Sequence, residues 1–340
     1  MTDMATNSRP KLRKAKTVTD NLELTANIPD ASYAKSHITR DLNAGKTEYE
    51  IFDYAMANKC NVLIEGPSGA GKTNASIAYA SKKQIPFYSV ASNAGVDPSQ
   101  LFGRYIPDEV NGGFEWVDGA VTSIVRHGGV LLLNEINFMP ERISTVLFSL
   151  LDSRRSITLM DHKSETIKAH DDVLIIGDMN PGYEGTRPLN KAFRNRFSIQ
   201  MVWDYDPKVE SKLVESKSLM KIAKDIRVQT VNGEYTTPMG TNMLIEFEQI
   251  ATGLGYDFAV QNIANHFTDT ERDSVIKMFA SKHTAIKTEL GIIKPVVADE
   301  EDAPFKSKYP MNHPIWDKRK KMTIGEMDEE LGIKGVDWEL

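Results

Sequence analysis

The chain has 340 residues, 41% of them hydrophobic and 26% charged, with a formal net charge of −6 at pH 7. That is the make-up of a globular protein long enough for more than one domain, and its acidic balance argues against whole-molecule attraction to nucleic acid or an anionic membrane. The single cysteine, Cys60, excludes an intrachain disulfide and suits a reducing compartment.

Two further absences narrow the class. No apolar run approaches the roughly 18 residues of a membrane span, and the opening stretch lacks the apolar core of a signal peptide, so a cytoplasmic protein is expected. Seven scattered histidines, none at ligand spacing from Cys60, make a zinc site unexpected.

In chain order, residues 1–25 are polar, and the cluster Arg9, Lys11, Arg13, Lys14 and Lys16 reads as a solvated tail that would otherwise meet nucleic acid or an acidic partner. From 45 to 205 short apolar runs alternate with helical segments, the pattern of a parallel sheet with crossover helices. Strands are expected at 61–65, 86–90, 130–134, 173–177 and 198–202. The unbroken apolar runs at 130–133 and 173–176 predict strands buried on both faces. From 206 to 290 the signal is helical. Asp206-Pro207 is an N-cap followed by proline, and Thr268 with Glu271 has capping-box spacing. Past 292 an acidic run (299–302) and a basic run (318–321) suggest an arm, with a short helix at 324–331. The expected division is a tail (1–40), an α/β core (41–205), a small all-α domain (206–291) and an extension (292–340).

Four motifs carry chemistry. Residues Gly66, Pro67, Ser68, Gly69, Ala70, Gly71, Lys72 and Thr73 match G-x-x-x-x-G-K-[ST] between an apolar strand and a helix-compatible run at 73–82. Glycines let successive amides curl around phosphate oxygens at a helix N-terminus. Lys72 should reach the β- and γ-phosphates, and the Thr73 hydroxyl should hold Mg²⁺. The second motif is the apolar strand ending in Asn134 and Glu135. Glu135 is placed to polarise an attacking water. Asn134 occupies the position where an aspartate would help hold the Mg²⁺ shell, and its amide can accept a hydrogen bond from metal-bound water while lacking the charge. The third is the strand that ends at Asn180, a candidate partner for the γ-phosphate or the lytic water. The fourth, Arg194 and Arg196, is the candidate arginine finger, which in such enzymes accelerates the reaction by ~10³–10⁵.

In this order the motifs resemble AAA+ ATPases, most closely the MoxR and dynein-related branch with its CbbQ, NorQ, GvpN and CobS types. Also part of the resemblance are residues 114–120, Phe-Glu-Trp-Val-Asp-Gly-Ala, and residues 180–189, Asn-Pro-Gly-Tyr-Glu-Gly-Thr-Arg-Pro-Leu. The resemblance implies a P-loop NTPase fold, a three-layer α/β/α parallel sheet with a small C-terminal all-α lid. It also implies ATP with Mg²⁺ as ligands, a hexameric ring of identical subunits, and a partner protein bearing a von Willebrand A domain. Two β-hairpins that face the pore or a partner are expected at 101–117, with Tyr105, Phe114 and Trp116, and at 157–161 with 165–169. Many relatives have a nucleotide-contacting arginine at the start of a lid helix. The comparable stretch here, 237–242, has none. A nucleic-acid motor or restriction-type NTPase, and a nucleotide-gated module with negligible turnover, remain alternatives on sequence alone.

Overall fold

The computed structural model describes residues 27–42, 45–92, 95–108, 112–180 and 189–293. The expected basic tail, most of the C-terminal extension with its charged runs and short helix, and the motif residues 181–188 lie outside this set. Helix α1 (Ala31–Ser36) and a two-stranded ribbon, β1 (Asp41–Leu42) with β2 (Lys46–Thr47), come first. They lead into α2 (Glu48–Ala57), whose start is closed by a capping box between Thr47 and Glu50.

The central sheet has five parallel strands: β3 (Val62–Glu65), β4 (Phe87–Ala91), β7 (Gly129–Asn134), β10 (Val173–Met179) and β11 (Ile199–Val202). Their spatial order is β11-β3-β10-β7-β4. Each begins within one residue of its predicted start, and β10 runs two residues further than predicted, to Met179. Alternate side chains of the buried strands feed two different cores. Val62, Ile64, Val130, Leu132, Leu174 and Ile176 face one apolar cluster, with Phe52 of α2 and Ala75, Ala78 and Tyr79 of α3 (Lys72–Lys83). Leu63, Leu131, Leu133, Val173 and Ile175 face the other, with Ile124 of α5 (Ala120–His127) and Leu147 and Leu150 of α6 (Glu141–Leu151). Period-two burial on both faces is what produces the three layers.

Both expected hairpins form. The first pairs β5 (Gly103–Pro107) with β6 (Phe114–Asp118) after the short α4 (Pro98–Phe102); the second pairs β8 (Ser156–Leu159) with β9 (Glu165–Lys168). They are joined side to side. Trp116 stacks on His162 at 4.6 Å between centroids, and Tyr105 Oη meets His162 Nδ1 at 2.9 Å. Arg126 binds Asp118 and Glu165 together. Phe114 and Met160 stay exposed.

Past the short α7 (Lys191–Arg194) and β11, five helices build a separate apolar cluster: α8 (Pro207–Leu213), α9 (Lys217–Val231), α10 (Thr241–Gly253), α11 (Tyr256–Ala264) and α12 (Asp269–Glu289). Leu219, Ile222, Ile226, Leu244, Phe247, Ile263, Val275 and Phe279 lie at its centre. Asp206 caps α8 by accepting the Lys208 N–H, and Glu271 closes the α12 start by accepting the Thr268 N–H at 3.0 Å, as their spacing predicts. Among the described residues no helix is long and apolar enough to cross a membrane.

Candidate nucleotide site

Residues 66–71 form the loop between β3 and α3, with Gly69 at φ +69° and Gly71 at φ +88°, left-handed positions that favour glycine. Gly66 is required for a different reason. A Cβ there would lie 2.0 Å from the backbone oxygen of Trp203, so only glycine lets the loop pass the end of β11. Trp203, fully buried, donates its indole N–H to the Ala70 carbonyl at 2.8 Å. Arg40 stacks over the same indole and donates to the carbonyls of Ala70 and Asp204. Tyr205 Oη donates to the Ser68 carbonyl at 2.9 Å. The carbonyls of Ser68 and Ala70 are thus tied to the protein, and the Gly66 N–H donates to the Met179 carbonyl at 3.1 Å.

Lys72 begins α3 and is buried. Its ammonium donates to the carbonyls of Gly66 (2.9 Å) and Pro67 (2.8 Å) and to Asn180 Oδ1 (2.5 Å). Burial lowers its pKa from the ordinary value, and the negative charges of Asp178 and Glu135 oppose that shift. The Thr73 side chain is exposed beside it. The structure therefore brings Lys72, at the start of α3, and Asn180, just past the end of β10, into direct contact.

The tip of β7 is built differently from an ordinary strand end. Asn134 gives its amide hydrogens to Ser89 on β4, and its Oδ1 is buried with no hydrogen-bond partner. Glu135 follows at φ +52°, ψ 48°, a left-handed conformation that a glutamate adopts only when its surroundings impose it. The restraint is visible: the Glu135 N–H donates to Asp178 Oδ1 at 2.7 Å. Asp178 itself is 5% exposed. Burial raises its carboxyl above the ordinary range, against the Glu135 N–H and the Lys72 charge.

Arg194 and Arg196 do not join this group within the chain. Arg194 pairs with Glu65, the residue before the loop, at 2.6 Å. Arg196 lies 4.1 Å over the Phe148 ring and donates to the Ala192 carbonyl. A groove lined by Leu42, Ile51, Tyr54, Ile199, Met201 and Val202 shares no residue with the site.

The helical segment closes over the loop at Gly69. The N–H groups of Thr241 (3.1 Å) and Asn242 (3.4 Å) both reach the Gly69 carbonyl. Thr241 Oγ1 donates to Glu210, which also accepts two bonds from Arg227. Arg227 lies 3.7 Å over the ring of Tyr205, itself bonded to the loop. Sequence reasoning missed Arg40, Asp178, Glu210 and Arg227. Asp178 carried a signal, a charged residue inside an otherwise apolar buried strand; Arg40 and Arg227 carried none.

Residues 61–197 match the family model described as AAA domain (dynein-related subfamily). This segment is an AAA domain of that subfamily. The protein CbbQ of Hydrogenophilus thermoluteolus is 34% identical over 173 residues, 50% of this chain and 63% of that one. NorQ of Paracoccus denitrificans is 33% identical over 174 residues, again 50% and 63%. A Staphylococcus epidermidis protein described as uncharacterized is 28% identical over 245 residues, 68% of this chain and 93% of that one. The matched segment takes in the loop at residues 66–73, Glu135, Asn180 and both arginines.

Proposed function

We propose that this chain hydrolyses ATP to ADP and phosphate as one subunit of an AAA+ ring, most simply a hexamer, and uses the cycle to remodel or activate a partner protein. The observation that carries the reading is the Lys72–Asn180 contact with Glu135 held in a left-handed turn beside it. The loop amides and Lys72 bind the phosphates. Lys72 exchanges its loop carbonyls for phosphate oxygens and keeps a positive charge where negative charge develops. Glu135, exposed and rigidly presented, orients water and takes its proton. Asn180 fixes Lys72 and hydrogen-bonds the γ-phosphate.

The residues present fit Mg²⁺. The Thr73 side chain is open, Asn134 Oδ1 is an orphaned buried acceptor, and a carboxylate lies on the next strand. Thr73 and Asn134 would hold the ion, which when bound would neutralise negative charge on the phosphates. Arg196, with Arg194 as the alternative, reaches the neighbouring subunit's nucleotide, so turnover depends on assembly. We assign 41–205 as the motor core and 206–291 as the lid, the latter read from its separate apolar cluster. The joined hairpins, with Phe114 and Met160 exposed, are the surface offered to the partner. A von Willebrand A domain is the partner class that the family resemblance suggests.

Phosphate release measured against protein concentration tests this. The rate per subunit should rise with concentration. Lys72→Ala should lose nucleotide binding, and Glu135→Gln should bind ATP yet turn over at least ~10²-fold more slowly. Near-normal turnover by Glu135→Gln would refute the assignment.

A further inference from the structure

The site as read has an amide, Asn134, at the strand end where a metal-facing acid is expected, and it contains a buried acid that the proposed mechanism leaves without a task. We propose that Asp178 supplies the negative charge that Asn134 lacks, so that the carboxylate facing the Mg²⁺·ATP complex has moved one strand sideways, from β7 to β10. This rests on the ATPase reading above.

Strand register sets the two residues side by side. β10 and β7 are parallel, with Ile176 opposite Leu132 and Gly177 opposite Leu133. The next step sets Asp178 level with Asn134. Side chains alternate along a strand, and Ile176 and Leu132 share the face that packs on α3. Asp178 and Asn134 therefore continue that face, at the end where α3 begins with Lys72 and Thr73. β10 also pairs with the loop's own strand, Asp178 opposite Ile64. The carboxylate is thus central, between the strand that carries the P-loop and the strand that carries Glu135.

Charge points the same way. An acid that is 5% exposed is stable only with compensation. Asp178 has one hydrogen bond, from the Glu135 N–H. It has no ion pair among the described residues, because Lys72 is committed to two loop carbonyls and Asn180. Lys72 acts on the Asp178 charge without bonding to it, which leaves the carboxylate open to a cation that arrives with the nucleotide. Mg²⁺ in nucleotide sites needs only one or two carboxylates beside phosphates and water. Glu135, exposed and set aside for the lytic water, leaves Asp178 to fill that place. The bland alternative is that Asp178 serves only as an acceptor for the Glu135 N–H. An asparagine would do that equally well, which makes the two roles separable.

The test is calorimetric titration of ATPγS into the full chain, once with Mg²⁺ and once with EDTA, so no turnover is involved. In the unaltered chain Mg²⁺ should tighten binding. Asp178→Asn keeps the shape and an acceptor for Glu135 but removes the charge. Its metal-free affinity should be equal or higher, because triphosphate repulsion falls, while the tightening by Mg²⁺ should shrink by about 10–100-fold. The double substitution Asn134→Asp with Asp178→Asn returns the charge to β7 and should restore most of the tightening. Full Mg²⁺ tightening in Asp178→Asn, or no recovery in the double variant, overturns the proposal while the ATPase reading stands. Absence of nucleotide binding by the unaltered chain in both buffers overturns both.

Discussion

Glu210→Ala should weaken the protein and its grip on nucleotide together, because one buried carboxylate on α8 holds both Arg227 and Thr241, the residue that touches the loop. Glu210 is 3% exposed. It accepts Arg227 Nη1 at 2.9 Å, Arg227 Nη2 at 2.6 Å and Thr241 Oγ1 at 2.6 Å. Truncation strands the guanidinium, whose side chain is 15% exposed. Breaking one partner of such a pair costs about 3–5 kcal/mol. The lower end applies, since Arg227 keeps its bond to the Met239 carbonyl and its stacking on Tyr205. At about 2–4 °C per kcal/mol, the melting temperature should fall by about 6–12 °C. Removing both charges leaves no stranded partner, so Glu210→Ala with Arg227→Met should cost much less than the sum of the single variants, by about 2 kcal/mol. Urea unfolding of the four proteins measures this cycle. Nucleotide titration of Glu210→Ala should show weaker binding, because Thr241 loses the side-chain anchor beside its bond to Gly69. Single-variant costs that add within about 0.5 kcal/mol would refute the coupled network.

The loop glycines should respond unequally. Gly66→Ala forces a Cβ onto the Trp203 backbone oxygen, which cannot swing away, so soluble protein or nucleotide binding should be lost outright. Gly69→Ala meets the Asn242 side-chain oxygen at 2.1 Å, and adding Asn242→Ala should recover part of the loss in a nucleotide titration. Recovery of Gly66→Ala by any side-chain change alone would contradict the geometry. Acid should loosen the helical segment through Glu271. Burial, the largest single influence, raises its pKa, but hydrogen bonds from Thr236 and Thr268 outweigh it and the net shift is downward from 4.5. The contribution is therefore complete above pH 4.5 and is lost as pH falls below it through the folded value. Melting curves of Glu271→Gln should lose that part of the acid dependence, and an unchanged dependence would refute it.

The five-strand core was legible because each of its signals is local. A run such as residues 130–133 must be buried on both faces wherever it sits, and the loop motif needs only its flanking strand and helix. The cap at Asp206 and the box at Thr268 are local for the same reason. What joins the C-terminal helical segment to the loop was not legible. Arg40, Glu210, Arg227 and Thr241 are scattered over about 200 positions of sequence, and no periodicity links them. The same holds for the hairpins: their positions along the chain were visible, but the stacking of Trp116 on His162 that fuses them depends on which faces meet in space.

The site shows where the limit falls within a single motif. Asn134 was conspicuous because it departs from an expected acid, and read alone it implied a weakened metal site. Compensation by Asp178 cannot be seen along the chain, since 44 positions separate the two residues. It follows only from the strand order β3-β10-β7 and from a register that sets residue 178 level with 134. A parallel sheet makes lateral neighbours of residues whose sequence separation is set by a crossover. A charge removed from one strand can thus reappear at the same depth on the next without changing what the pocket offers a cation. The unit to compare between such sites is the row of side chains across the sheet at the phosphate end, and the identity of one position within it decides little.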